Sequence, residues 1–211
     1  MFVKSIMIPK YNCHVVQSGE TVRKALECLE EHQIDGVPVL NGDKYEGILT
    51  LHRIFEQFFK SGKSKDAFLD ETVISDIATH QESYLDGGEI FENTLMELRN
   101  FPLLSVVDKK GNFLGVVTRY DVLNQFQSAF GMNRPGVRIA FTSVETEGRI
   151  ARLAEIAHQF HEHIISLVTF DETDKLVRRI VLKVERNQNL DKFIKKLEEH
   201  GFRILNIHED E

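Results

Sequence analysis

Two threonines carry the first chemical signal in the sequence, because each ends a short apolar run and stands three residues before a charged side chain. Thr50 is followed by Arg53, and Thr118 is followed by Asp121. A hydroxyl at the end of a strand, beside the free amides of a following helix, makes a corner that suits an anion. A carboxylate accepts hydrogen bonds from both hydroxyls of a vicinal diol, whereas a guanidinium only donates. The first motif therefore favours a phosphate, and the second favours a diol.

These two motifs belong to a repeat of whole modules. Residues 47–53 and 115–121 lie 68 positions apart, and upstream Pro38-Val39 aligns with Ser105-Val106 at an offset of 67. Apolar periodicity predicts the same order of helix, strand, strand and helix in both copies. The predicted elements are helix 22–29, strands 36–40 and 45–50 and helix 54–59, and then helix 90–98, strands 103–107 and 113–118 and helix 122–126.

The repeat resembles a tandem pair of CBS domains, the nucleotide-sensing unit often called a Bateman module. The resemblance covers about residues 1–130 and rests on Val37-Pro38-Val39, on the two Gly-x-x-Thr strands and on Thr118-x-x-Asp121. It implies that an adenine nucleotide lies between the paired modules, with threonine near phosphate or ribose and aspartate on the ribose hydroxyls. The nucleotide-binding residues that it implies are Gly36, Val37, Pro38, Thr50, Arg53, Leu104, Ser105, Thr118, Arg119 and Asp121.

The sequence departs from the family pattern at one position in each module. Arg53 stands where the family has aspartate, and Ser105 stands where it has proline. One hypothesis is that Arg53 pairs with a phosphate, with Arg119 as its partner, because arginine matches phosphate geometry. The alternative is that the first cleft is empty and Arg53 is a solvated residue at a helix start.

A third unit follows the linker 131–136, whose Pro135-Gly136 step ends the preceding helix. The pattern predicts strand 137–144, helix 150–160, strand 164–170, a hairpin loop at 171–174, strand 176–184, helix 190–197 and strand 202–207. This order is a ferredoxin-like βαββαβ arrangement and resembles an ACT domain. In that family the turn matched by Gly148, Arg149 and Ile150 approaches an amino-acid ligand, and many members use the domain only to pair subunits.

The whole chain is therefore expected to be an α+β protein with a CBS pair followed by an ACT domain. We expect CBS module 1 at residues 1–67, CBS module 2 at 68–130, the linker at 131–136 and the ACT-like domain at 137–211. The architecture resembles the CBS–ACT proteins of Gram-positive bacteria, including the acetoin-utilisation type, some of which bind cyclic di-AMP. The two adenines and two phosphodiesters of that ligand would suit Arg53.

Composition limits the classes of partner. The net charge of −7 argues against binding a nucleic-acid backbone. No apolar run reaches the length of a membrane span, and residues 1–9 lack the long apolar core of a secretory signal, so we expect a cytoplasmic protein. Cys13 and Cys28 are expected to be reduced core thiols.

His158 and His161 share a helical spacing that could hold a metal ion. Without a second pair of ligands, such histidines more often close the end of a helix, so no metal and no cofactor are expected.

No catalytic motif stands out, so the sequence predicts a non-catalytic regulatory protein. The favoured hypothesis is that the CBS pair senses an adenine nucleotide, with cyclic di-AMP first, and relays it through a homodimer or an unknown target protein. A second hypothesis is an ACT effector subunit that binds an amino acid, with the CBS pair as scaffold. A third is an accessory subunit of acetoin or carbon utilisation that acts through protein contacts alone.

Overall fold

The first of two structural units contains the sequence repeat. The computed structural model describes residues 2–144, 146–171 and 176–210, and the chain divides into Met1–Leu123 and Asn124–Glu211. The first copy contains β1 (Ile8–Pro9), β2 (Val16–Gln17), α1 (Val22–Glu31), β3 (Gly36–Asn41), β4 (Lys44–Thr50) and α2 (Leu51–Ser61). Strand β3 pairs in parallel with β2 and antiparallel with β4, which gives the sheet β2-β3-β4. The predicted order of elements is confirmed.

Two short helices that the sequence pattern did not predict complete the core of the first copy. They are α3 (Lys65–Glu71) and α4 (Ile74–Ile77). Phe68 and Leu69 on α3, and both isoleucines of α4, are buried in one cluster with Val22, Leu29 and Leu49. The module boundary expected between residues 67 and 68 therefore falls inside α3, and residues 68–77 pack with the first copy.

The second copy is built like the first, with a shorter first helix. It contains α5 (Thr94–Leu98), β5 (Leu103–Val107), β6 (Phe113–Thr118) and α6 (Arg119–Ala129). The helix predicted over 90–98 is a 3-10 turn at Phe91–Asn93 followed by the five residues of α5. Strand β1 pairs antiparallel with β6, so the sheet order is β1-β6-β5. The first strand of the chain thus completes the sheet of the second copy.

The second unit has the predicted βαββαβ topology. Its elements are β7 (Val137–Val144), α7 (Arg149–Gln159), β8 (Ile164–Asp171), β9 (Val177–Val184), α8 (Leu190–Glu199) and β10 (Arg203–Glu209). The fully antiparallel sheet has the order β10-β7-β9-β8. Helices α7 and α8 cover one face of it, where Ile139, Phe141 and Leu182 are buried with Leu153 and Phe193. Of the hairpin loop expected at 171–174, residues 172–174 lie outside the described residues.

Two expectations from the sequence concern the cysteines and the absence of a membrane span. Cys13 and Cys28 are free and half-buried. Burial raises the pKa of the Cys13 thiol to about 11, so this thiol stays protonated at neutral pH. In the described ranges, no helix is both long enough and apolar enough to cross a membrane.

Candidate functional site

Two cavities between the copies of the repeat are built from equivalent positions. We name them the Thr50 cleft, with a volume of about 450 Å³, and the Thr118 cleft, with a volume of about 430 Å³. The Thr50 cleft combines Thr50, Leu51, His52 and Phe55 of the first copy with Asn100, Phe101 and Pro102 of the second. The Thr118 cleft combines Thr118, Arg119, Tyr120 and Leu123 of the second copy with Gln33, Ile34, Asp35 and Gly36 of the first. Asp35, Pro102 and Arg119 line both clefts.

The backbone explains why these positions meet. In the first copy the Leu51 N–H donates to the Asp35 carbonyl at 3.0 Å, and in the second the Arg119 N–H donates to the Pro102 carbonyl at 3.1 Å. The loop before β3 is therefore tied to the start of α2, and the loop before β5 is tied to the start of α6. A Cβ added at Gly36 would lie 3.1 Å from Leu103 Cδ2, so any larger residue there would require the neighbouring side chains of the second copy to shift by a few tenths of an ångström.

The Thr50 corner is occupied by contacts within the protein. The Thr50 hydroxyl accepts a hydrogen bond from the Arg53 N–H at 3.1 Å and caps α2. The Arg53 side chain donates from Nε to the Ile77 carbonyl at 3.0 Å and from Nη1 to Glu56 at 2.9 Å. Together with Lys60, Arg53 holds the pKa of Glu56 at about 2. Arg53 is thus neither a cleft residue nor a freely solvated one.

The Thr118 corner is a reciprocal cap of α6. The Asp121 Oδ2 accepts from the Thr118 N–H at 3.0 Å and from the Thr118 hydroxyl at 2.6 Å. In return the Thr118 hydroxyl accepts from the Asp121 N–H at 3.1 Å. This is a capping box, in which each side chain satisfies a free amide of the other residue. Thr118 lines the Thr118 cleft, whereas Asp121 lies outside its lining.

Arg119 is the cation of both clefts. Its Nε donates to the Leu98 carbonyl at 2.9 Å and its Nη2 to the Phe101 carbonyl at 3.3 Å. A guanidinium carries five N–H donors, and Nη1 makes no hydrogen bond to any residue that the structure describes. Arg119 is therefore anchored at one edge and keeps donors for an anion.

The other predicted nucleotide residues lie behind the clefts. Val37 and Pro38 are buried in β3, and Leu104 and Ser105 are buried in β5. Of the ten predicted residues, the lining contains Gly36, Thr50, Thr118 and Arg119.

Cleft residues that were not predicted lie in the loops before β3 and β5, at residues 33–35 and 100–102. Phe101 in the second loop stacks on His80, with ring centroids 3.8 Å apart. The repeat offset of 67 relates these two loops in the sequence, because it aligns Asp35-Gly36 with Pro102-Leu103.

The predicted amino-acid residues surround a separate cavity in the second unit. Gly148, Arg149 and Ile150 all line a cavity of about 310 Å³, which we name the Gly148 cavity. Gly148 has a φ of 82°, a left-handed conformation that favours glycine. The Arg149 guanidinium is held in place, because it donates to the Ser143 hydroxyl at 2.6 Å and to the His200 carbonyl at 3.0 Å.

The predicted pair His158 and His161, and the neighbouring His163, lie at the end of α7 and beyond it. His158 is in the last turn, His161 follows the helix with a φ of 58°, and His163 lies 3.9 Å from the Glu185 carboxylate. Across the described ranges, no group of three histidine, cysteine, aspartate or glutamate side chains is placed to hold a metal ion.

Comparisons with known proteins place the repeat in a family. Relatives include an uncharacterized protein of Methanocaldococcus jannaschii, 29% identical over 113 residues, which are 54% of this chain and 36% of that protein. The inosine-5'-monophosphate dehydrogenase of the same organism is 28% identical over 111 residues, which are 52% of this chain and 21% of that enzyme. This chain therefore matches about a third or less of the length of these relatives.

Solved structures resemble the first unit. CBSX2 of Arabidopsis thaliana in complex with AMP is 26% identical with a TM-score of 0.52, over 63% of this chain and 98% of that chain. CbpB in complex with c-di-AMP has the same TM-score at 17% identity, over 61% and 85%, and this likeness concerns the fold alone.

The family model described as CBS domain matches residues 3–60 and 74–128, which together are more than half of the chain. These segments include both copies of the repeat and every residue that lines the two clefts. The chain therefore belongs to the CBS-domain family.

Proposed function

We propose that the first unit binds an adenine nucleotide at the Thr50 and Thr118 clefts, and that the chain is a regulatory protein without catalytic activity of its own. One observation carries the proposal. Two cavities of similar volume are built from equivalent positions of the repeat, each has a threonine at a helix start, and Arg119 lines both.

The chemistry of the linings supports a nucleotide. Volumes of about 430 and 450 Å³ lie within the usual range of small-molecule sites. Ile34, Leu103 and Leu123 offer an apolar wall for a base in the Thr118 cleft, and Leu51, Phe55 and Phe101 do so in the Thr50 cleft. The donors that Arg119 keeps suit phosphate.

Cyclic di-AMP is the ligand that we favour. The two clefts share Asp35, Pro102 and Arg119, so a ligand with two adenines would reach both while Arg119 contacts a phosphodiester between them. Arg119 takes the place that the sequence analysis gave to Arg53. The likeness to CBSX2, which was solved with AMP, supports the simpler case of one mononucleotide in a cleft.

A thermal-shift panel on the full chain tests the proposal. The probes are AMP, ATP, S-adenosylmethionine, cyclic di-AMP and free amino acids. A ligand at 100 times its Kd adds about 2.7 kcal/mol to native stability. We expect the largest shift with cyclic di-AMP and a smaller one with AMP. If no nucleotide raises the Tm, the proposal fails.

The Gly148 cavity favours a second candidate function. Because all three predicted residues line one cavity in a βαββαβ unit, an amino-acid-sensing role of an ACT type is the alternative, with pairing of these units into a homodimer. A Tm shift with an amino acid, lost in Gly148→Val, would support it. The third candidate, an accessory subunit acting through protein contacts, predicts no shift with any small molecule.

Regulation requires that the ligand distinguish two states of the protein. A nucleotide shifts a conformational equilibrium only by its difference in affinity for the two states. In a cytoplasmic homodimer with a target protein, the expected effect is a change in target affinity with nucleotide. The target itself is open to affinity capture with and without cyclic di-AMP.

A further inference from the structure

A further cavity of about 630 Å³ lies in the second unit, on the sheet face that α7 and α8 do not cover. Side chains alternate between the two faces of a strand. Because Ile139 and Leu182 face the helices, their neighbours Arg138 and Lys183 face the other side. We name this cavity the Lys183 cavity. It shares no lining residue with the Gly148 cavity.

Positive charges predominate among the residues that line the Lys183 cavity. Arg138 on β7 is the direct cross-strand partner of Lys183 on β9. Like charges placed directly opposite each other destabilise a sheet. Arg134 is a third cation in the lining, and Asp210 is its only carboxylate in the described residues. A chain with a net charge of −7 thus concentrates positive charge here.

Lys183 is a buried cation that is held in place by an ion pair and a hydrogen bond. Its side chain is 7% exposed, pairs with the Asp210 carboxylate and donates to the Gly131 carbonyl at 2.9 Å. The pair lowers the pKa of Asp210. A buried charge is tolerated only when it is paired and hydrogen-bonded. An ammonium has three donors, so one remains after these two contacts.

Of the three cations that line the cavity, Arg138 is the one without an ion-pair partner in the described residues. Arg134 pairs with Glu185, whereas Arg138 is exposed and makes no hydrogen bond or ion pair to the part of the chain that the structure describes. Phe130, Met132 and Val181 add an apolar wall beside it. The cavity therefore joins an open guanidinium and a buried ammonium to an apolar surface.

We propose that the Lys183 cavity binds a small organic anion, a carboxylate or phosphate that is attached to an apolar group. Arg138 binds the anionic oxygens in a bidentate manner, and the remaining donor of Lys183 completes the contact. The apolar body packs on Phe130, Met132 and Val181. An anion between Arg138 and Lys183 also removes the repulsion between the two cations. This site is independent of the proposed nucleotide clefts.

Titrations of the full chain followed by amide chemical shifts test the proposal. The probes are phenyl phosphate and phenylacetate, with benzyl alcohol as the neutral analogue. We expect saturable shifts centred on Arg138, Val181 and Lys183 with at least one of the two anions, and an affinity at least tenfold weaker in Arg138→Gln. The matched control is Arg152→Gln, since Arg152 is an exposed arginine of the same unit on α7.

The relative affinities of phenyl phosphate and phenylacetate show whether the cavity prefers a phosphate or a carboxylate. Three results would each overturn the proposal. They are benzyl alcohol binding as tightly as both anions, an equal loss of affinity in Arg152→Gln, and saturable shifts located only outside the cavity or absent with both anions. Arg138 is exposed, so its replacement leaves the core intact, and an unchanged spectrum outside the cavity verifies the fold.

Discussion

The Thr50 and Thr118 corners share a backbone plan and differ in what the charged residue does. At Thr50, Arg53 turns to the Ile77 carbonyl and to Glu56. At Thr118, Asp121 turns back and caps the helix. Both charged side chains are thus engaged by the protein, and neither lines a cleft. A residue at the motif position of a ligand contact can serve the helix start instead.

The asymmetry between the clefts lies one residue after each threonine. Leu51 follows Thr50, whereas Arg119 follows Thr118 at the equivalent position. The Leu51 side chain is apolar and lines one cleft, whereas Arg119 is a cation and lines both. The difference that governs an anionic ligand is therefore between Leu51 and Arg119, whereas Asp121 caps α6 and Arg53 ties α2 to the Ile77 carbonyl.

The largest expected effect comes from Arg119→Ala. Hydrogen bonds to charged groups contribute about 1.5–3 kcal/mol, and 1.4 kcal/mol is tenfold in affinity. We expect the affinity for cyclic di-AMP, measured by calorimetry, to fall at least tenfold. Arg99→Ala is the matched control, because Arg99 is exposed and lines neither cleft. Arg53→Ala should change the affinity less than twofold. A larger loss in Arg53→Ala than in Arg119→Ala would restore Arg53 as the phosphate contact.

Two matched substitutions that each introduce a carboxylate distinguish the contributions of the two clefts to AMP binding. Leu123 and Phe55 occupy equivalent positions and are 47% and 48% exposed, so both tolerate glutamate. Leu123→Glu should weaken AMP binding several-fold, because residue 123 lies one helical turn after Arg119 on α6 and its carboxylate would compete for that guanidinium. Phe55→Glu should have the smaller effect. Equal effects in calorimetric titrations would show that the clefts are equivalent for a mononucleotide.

The helix caps predict a difference in stability. Asp121→Ala removes the acceptor for the Thr118 N–H and should cost about 1 kcal/mol, as losses of caps usually do. Asp121→Asn keeps an acceptor and should cost less. Urea unfolding followed through signals of the first unit measures both. An Asp121→Ala protein as stable as the unchanged protein would remove the cap from the account of this corner.

The smallest effect is a titration at the Thr50 corner. The pKa of Glu56, held at about 2 by Lys60 and Arg53, should rise in Arg53→Ala. A depressed carboxyl pKa stabilises the fold above the unfolded pKa of about 4.3, and this stabilisation is lost as the pH falls towards 2. Carboxyl chemical shifts follow the titration. Adding cyclic di-AMP should leave the pKa of Glu56 unchanged, and a rise would mean that Arg53 leaves Glu56 for the ligand.

The sequence predicted the repeat and most elements because apolar periodicity is a local signal. The cap at Thr118 was not predicted, because Thr118 and Asp121 were assigned to phosphate and ribose, whereas the structure shows them as a capping box. The contact between Arg53 and Ile77 could not be predicted, because it depends on α4, a four-residue helix with too little periodicity to detect. The cleft residues at 33–35 and 100–102 lie in loops without apolar periodicity, so only the offset of the repeat relates them in the sequence, and the packing of the two copies brings them together.

The most direct test of the central claim is an amide chemical-shift titration of the full chain with AMP and with cyclic di-AMP. We predict the largest shifts at Asp35 and Arg119, which line both clefts, and at Gly36, Leu51 and Leu103, each of which lines one of them. Shifts confined to the second unit, or no saturable shifts with either nucleotide, would contradict it.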